Sequence, residues 1–268
     1  MGVLNCTPDS FSDGGQYLDE RRALEHAESM LEEGATIIDV GAESTRPGAR
    51  RVPPEEQARR LGGVVRALAA RGVVVSIDTT SPEVAARALD DGAELINSVE
   101  LGPAGQLAEV ARSRGAALAL MHSLGSMADE RAYSSEPAGA YGDVVADVKG
   151  ALSRARDQAT AAGLSADDVL LDPGLGFHKS ARHSLELCAH LDELVALGHP
   201  VLVGPSRKSF LAAVLGGSSA SLPPPRERLG ATIAACLLCA RRGAAVLRVH
   251  DPREVQQALS FEQAAQHV

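Results

Sequence analysis

The chain has 268 residues, close to the length of one large α/β barrel, and 45% of them are apolar, enough for a sizeable core. Its formal net charge is -9 without a dense run of Lys and Arg, which argues against nucleic acid or an anionic membrane surface as the main partner. No stretch is long and apolar enough to span a bilayer, and the N-terminus does not read as a signal peptide.

Taken in chain order, eight short apolar runs end on polar residues. Val3-Leu4 runs into Asn5, Ile37-Ile38 into Asp39, and Val73 to Ile77 into Asp78. Leu95-Ile96 ends at Asn97, Leu118 to Met121 at His122, and Val169 to Leu171 at Asp172. Val201 to Gly204 leads to Arg207-Lys208, and Val246 to Val249 ends at His250. Continuous apolar runs of this length are the pattern of fully buried parallel strands. Between them, Gly34, Gly72, Gly92, Gly115, Gly163, Gly198 and Gly243 each fall just before a run, where a helix would stop. Ser81-Pro82-Glu83 supplies an N-cap and an N1 proline. The expectation is α/β: a single (β/α)8 TIM barrel, one domain over residues 1–268, its site at the carboxyl ends of the strands. A doubly wound open sheet is the rival, weakened by the lack of a Gly-x-Gly-x-x-Gly turn after the first strand.

Four cysteines are present: Cys6, Cys188, Cys236 and Cys239. Cys236 and Cys239 sit in an apolar helical run with no second pair for zinc, so they read as buried small hydrophobes. A reduced, cytoplasmic protein is expected.

Several segments carry chemistry. The stretch Asn5 to Gly15 is longer than a minimal βα connection and holds two acids, an amide and Phe11. The stretch Asp39 to Gly48 places Thr45 and Arg46 in a Gly/Pro-rich loop with anion-binding donors. Asp78, Asn97 and Asp172 lie at three strand ends and together suit a flat, donor-rich heterocycle, since a carboxylate accepts two parallel N–H bonds. Taken singly, each could be a strand-end cap. Lys208, Arg248 and His250 follow strands seven and eight, where barrels often bind phosphate. His26, His183, His190, His199 and His267 read as surface residues.

These motifs resemble the dihydropteroate synthase family of pterin-binding enzymes. The resemblance spans essentially the whole chain. It rests on Leu4 to Gly15, Glu43 to Gly48, Ser76 to Thr79, Ile96-Asn97, Leu120 to His122, Leu171 to Phe177, Ser206 to Ser209 and Arg248 to Asp251. It implies that p-aminobenzoate displaces pyrophosphate from 6-hydroxymethyl-7,8-dihydropterin pyrophosphate, a step of folate biosynthesis. By the family pattern Asp78, Asn97, Asp172 and Lys208 hold the pterin, and Met121 and Phe177 line its slot. Arg248, His250 and Asn5 hold the pyrophosphate, with Mg²⁺ at Asn5, and Asp13 stabilises a cation-like transition state. Phe11, Thr45, Arg46, Pro47 and Ser209 form the aminobenzoate pocket once two loops close, Thr7 to Gly15 and Glu43 to Ala49. The resemblance also implies a homodimer.

Several positions depart from the family pattern: Ala42, Ser81, Ser98, Ser123 to Ser126, and His178. Ser98 and His178 flank expected pterin contacts, which predicts a shifted affinity. Two other readings stay open. A methyltetrahydrofolate methyltransferase shares the barrel and the pterin-holding groups but has little use for the Arg248/His250 pair. A non-catalytic pterin-binding homologue would have lost Asn5, Arg46, Lys208 or Arg248, and all are present.

Overall fold

The computed structural model describes residues 1–6, 16–42, 52–125, 140–215 and 222–266. Strands and helices alternate along the chain. The order is β1 (Gly2–Asn5), α1 (Gln16–Glu32), β2 (Ile37–Gly41), α2 (Pro54–Ala69), β3 (Val74–Asp78) and α3 (Pro82–Asp90). There follow β4 (Leu95–Ser98), α4 (Ala104–Arg114), β5 (Ala117–Met121), α5 (Val144–Ala161), β6 (Val169–Asp172), α6 (Ala181–Ala189) and α7 (Leu191–Val195). The chain ends with β7 (Leu202–Val203), α8 (Ser209–Val214), α9 (Leu229–Arg241), β8 (Val246–Leu247) and α10 (Pro252–Ala265).

The eight strands among the described residues pair in parallel. β1 to β6 form one continuous ladder, and β7 pairs with β8. Single bridges span both seams, Leu171 to Val201 and Gly2 to Val249, so the circuit is that of the expected (β/α)8 barrel. β7 and β8 are shorter than their apolar runs, yet Arg248 N still bonds Val203 O at 2.9 Å and Val249 N bonds Met1 O at 2.9 Å.

The seven glycines all take positive φ, between +66° and +104°, as left-handed helix stops. Ser81 caps α3, its hydroxyl accepting from Val84 N at 3.4 Å. Along each strand, alternate residues face opposite sides. Ile38, Val40, Val75, Ile77, Ile96, Leu118, Leu120 and Leu171 join the large core between strands and helices. Burying each such side chain contributes roughly 1.5–3 kcal/mol. The other parity faces the barrel interior, where Leu95, Ala119 and Leu202 make a small apolar plug with Met1, Ala117, Leu170 and Val246. Above that plug the inward positions turn polar.

Candidate active site

Asp39, Ser76, Asp78 and Asn97 share the inward parity of β2, β3 and β4, because Asp39 is level with Ser76 and Asp78 with Asn97. Asp39 was expected at the end of the second strand. It lies instead in the middle of β2, fully buried, since the ladder runs on to Gly41. Its carboxylate accepts from Ser76 Oγ at 2.6 Å, Asn97 Nδ2 at 3.0 Å and Arg248 Nε at 2.6 Å. Arg248 uses a second nitrogen on Asp78 at 2.9 Å. Burial alone works against the charge on Arg248, but Asp39 and Asp78 outweigh it and hold its pKa above the ordinary value. Sequence reasoning had assigned Asp39 no role. The signal was there: an acid at the same inward spacing as Ser76 and Asp78.

The opposite side of the mouth is built by β6 and β7. Met121 and Asp172 are level on β5 and β6. Asp172 is 5% exposed, and its Oδ1 accepts from Gly174 N at 2.7 Å. Burial raises its pKa, against the pull of Lys208. Lys208 donates to Leu175 O at 2.5 Å and sits 3.8 Å from the centre of the Phe177 ring. Burial lowers its pKa to about 7, although Asp172 opposes the shift. The charge of Lys208 is therefore available below that pH and lost above it. For the substrate-free enzyme we expect kcat/KM for an anionic substrate to fall as pH rises through about 7. Lys208→Arg, which stays charged, should flatten that limb; an unchanged pH profile would refute the role.

His250 lies beside Ser206, whose Oγ accepts from His250 N at 3.2 Å and is 3.0 Å from Nδ1. Burial, then Arg248 and Arg207, lower the His250 pKa to about 4, so the ring is neutral. With the Ser206 hydroxyl donating to Nδ1, the neutral ring carries its proton on Nε2, which is left as a donor. Arg207 is not available as an anion ligand of the same kind, because Asp251 holds its guanidinium, with one contact at 2.9 Å. Arg207 and His178 are the described non-glycine residues with positive φ, 60° and 49°.

Asn5 ends β1, level with Gly41 on β2, and is half-buried. Ser209 opens α8 directly after Lys208. Asn5, Asp78, Asn97, Met121, Asp172, Phe177, Lys208, Ser209, Arg248 and His250 thus all sit on the carboxyl-end side of the barrel. Asp13, Thr45 and Arg46, with Phe11 and Pro47, lie outside the described residues, as does His267.

A further expectation needs correction. His183 is not a surface residue; it is half-buried, with its ring edge-on to Tyr141 at 5.1 Å between centres. Ser98 does not face the mouth, because its parity is opposite to that of Asn97. Its hydroxyl donates to Glu100 O at 2.8 Å.

The sequence profile of the pterin-binding enzymes matches residues 1–250. The chain belongs to that family. Among curated pterin-binding enzymes it is 46% identical to the dihydropteroate synthase of Mycobacterium leprae, over all of this chain and 93% of that protein. The dihydropteroate synthase of Xanthomonas albilineans, solved with 4-aminobenzoic acid, superposes with a TM-score of 0.89 at 40% identity, covering 100% of this chain and 93% of that one. The same enzyme solved with 7,8-dihydropteroate gives a TM-score of 0.85 at 37% identity, with 100% and 93% covered. These solved relatives share the fold of this chain over its whole length.

Proposed function

We propose that this enzyme is a transferase of folate biosynthesis that condenses 6-hydroxymethyl-7,8-dihydropterin pyrophosphate with p-aminobenzoate, the dihydropteroate synthase reaction. The observation that carries the reading is one mouth with two chemistries. Asp172, level with Met121, and Asn97 offer hydrogen-bonding groups, while Arg248, Lys208, whose ammonium lies against the Phe177 ring, and His250 offer donors for a polyanion.

In this reading the carboxylate of Asp172 accepts the paired N–H groups of the pterin. Asp78 and Asn97, held by Arg248 and Asp39, fix its other edge. The amine of p-aminobenzoate attacks the pterin methylene. The carbon–oxygen bond breaks, its electron pair leaves with pyrophosphate, and the nitrogen loses a proton to water. A neutral aniline nitrogen needs no strong base. Arg248, Lys208 and the Nε2–H of His250 bind the leaving group where charge builds up. By the family pattern Asp13 would stabilise the developing cation, and Thr45, Arg46 and Ser209 would hold the aminobenzoate.

Mg²⁺ fits this arrangement. Among the described residues there is no cluster of three acidic, His or Cys side chains to cage an ion. Mg²⁺ keeps waters and takes substrate phosphate oxygens, so one amide oxygen, that of Asn5, is enough. When bound it neutralises charge on the pyrophosphate. We further propose a cytoplasmic homodimer. All four cysteines are free, and no described helix is long and apolar enough to cross a membrane. Leu185 on α6 and Val214 and Leu215 at the end of α8 expose apolar side chains that a second copy would cover.

The test is pyrophosphate release from the pterin pyrophosphate, with and without p-aminobenzoate. Release should need both substrates and Mg²⁺, and a sulfonamide should compete with p-aminobenzoate. Calorimetry should show p-aminobenzoate binding only after Mg²⁺ and pyrophosphate. Tight binding to the metal-free, ligand-free protein would contradict the ordered scheme.

A further inference from the structure

Lys179 is fully buried, and no step of the reaction uses it. Its side chain turns back beneath the loop that follows β6. There Nζ donates to Phe177 O at 3.0 Å, Gly174 O at 3.1 Å and His122 O at 3.2 Å, and lies 3.0 Å from His122 Nδ1. Burial, then the charge of Lys179, lower the His122 pKa to about 3, so the ring is neutral and Nδ1 can accept. The Tyr141 ring lies 6.0 Å from the ammonium, and its hydroxyl donates to His178 O at 3.1 Å.

The loop is bent to make this possible. Gly174, Gly176 and His178 take φ of +68°, +75° and +49° within five residues. At Gly174 a Cβ would lie 2.0 Å from His122 O, so the two strand ends touch through bare backbone. Such an arc turns carbonyl dipoles toward one point, and without a cation there they would repel one another. The outer side of the same arc carries the groups of the mouth. Gly174 N binds Asp172, Leu175 O receives Lys208, and the Phe177 ring lies against the Lys208 ammonium.

We propose that Lys179 is a positioning residue for the pterin pocket: its ammonium gathers the carbonyls of His122, Gly174 and Phe177 and so sets the Phe177 ring and the Leu175 carbonyl against Lys208. The proposal rests on the reading of Asp172, Phe177 and Lys208 as the pterin site. Lys179 acts through these groups and touches no substrate. Its effect should therefore be selective for one substrate.

The experiment is Lys179→Met, which keeps chain length and removes every donor. The KM for the pterin pyrophosphate should rise about tenfold or more, as for lost charged hydrogen bonds, while that for p-aminobenzoate stays within about twofold. A merely structural lysine would lower the active fraction, cutting kcat and leaving both KM values alone; that result, or an equal rise in both, overturns the proposal. Should the variant fail to fold, Tyr141→Phe loosens the same arc at His178 and should raise only the pterin KM, about threefold, for one neutral hydrogen bond. No change there overturns the proposal. A wild-type chain that releases no pyrophosphate would sink the assigned reaction instead. Amide exchange at residues 174–178 then decides: it should speed up about tenfold in the Tyr141→Phe protein if the arc is tethered as described, and stay unchanged if it is not.

Discussion

Asp39→Ala should cost about 3–5 kcal/mol of stability and abolish turnover, the largest effect we expect from any single change. Asp39 has no exposed surface and satisfies three donors, from β3, β4 and the residue after β8. Removing it leaves the Arg248 guanidinium with Asp78 as its remaining charged partner on that side and leaves Asn97 without its acceptor. Breaking a buried ion pair from one end is costly because the other charge stays behind. Asp39→Asn keeps the shape and one acceptor oxygen. It should fold better than the alanine variant, yet bind pyrophosphate more weakly, because Arg248 keeps only Asp78 as a charged partner and is less firmly positioned. Denaturant unfolding of both variants checks the first point and calorimetry with pyrophosphate and Mg²⁺ the second. A loss below about 1 kcal/mol for the alanine variant, the size of an ordinary substitution, would show that Asp39 is not the keystone of the network.

Asp172→Asn should separate stability from binding. One oxygen of Asp172 already serves Gly174 N. The asparagine oxygen can take over that bond, so the fold should lose little. The amide N–H₂ then faces the N–H groups of the pterin, donor against donor. We expect pterin affinity to fall by about 1.5–3 kcal/mol, the range for a lost hydrogen bond to a charged group. The change also removes the carboxylate that supports the charge on Lys208. The alkaline fall in kcat/KM should therefore move to lower pH. Unchanged pterin affinity, measured by calorimetry, would remove Asp172 from the site.

The barrel was legible because its signals are local. A glycine before each strand after the first and a Ser-Pro before α3 mark helix ends without help from the rest of the chain. The site residues at strand ends were legible because polar residues stop an apolar run. Asp39 escaped because it interrupts a strand rather than ending one, and its partners come from β3, β4 and the segment after β8. Lys179 escaped for a related reason. After Phe177-His178 it looks like an ordinary loop lysine, and only the bend through Gly174 and Gly176 brings the loop carbonyls round its ammonium. Ser98 is a position that only strand parity explains: its neighbour in sequence is at the mouth, but its own side chain turns the other way.

Arg248 stands 209 residues from Asp39 and 170 from Asp78 along the chain. Every partial barrel that lacks the last strand therefore carries two acids aimed at an interior with no arginine to meet them. Closing the ring and completing the site are the same event. A chain emerging residue by residue holds an uncompensated anionic throat until its final turn is made, and then becomes both shut and competent to receive an anion in one step. The last strand is a latch as well as a wall, and a protein cut short before it should be neither a stable half-barrel nor a weak enzyme.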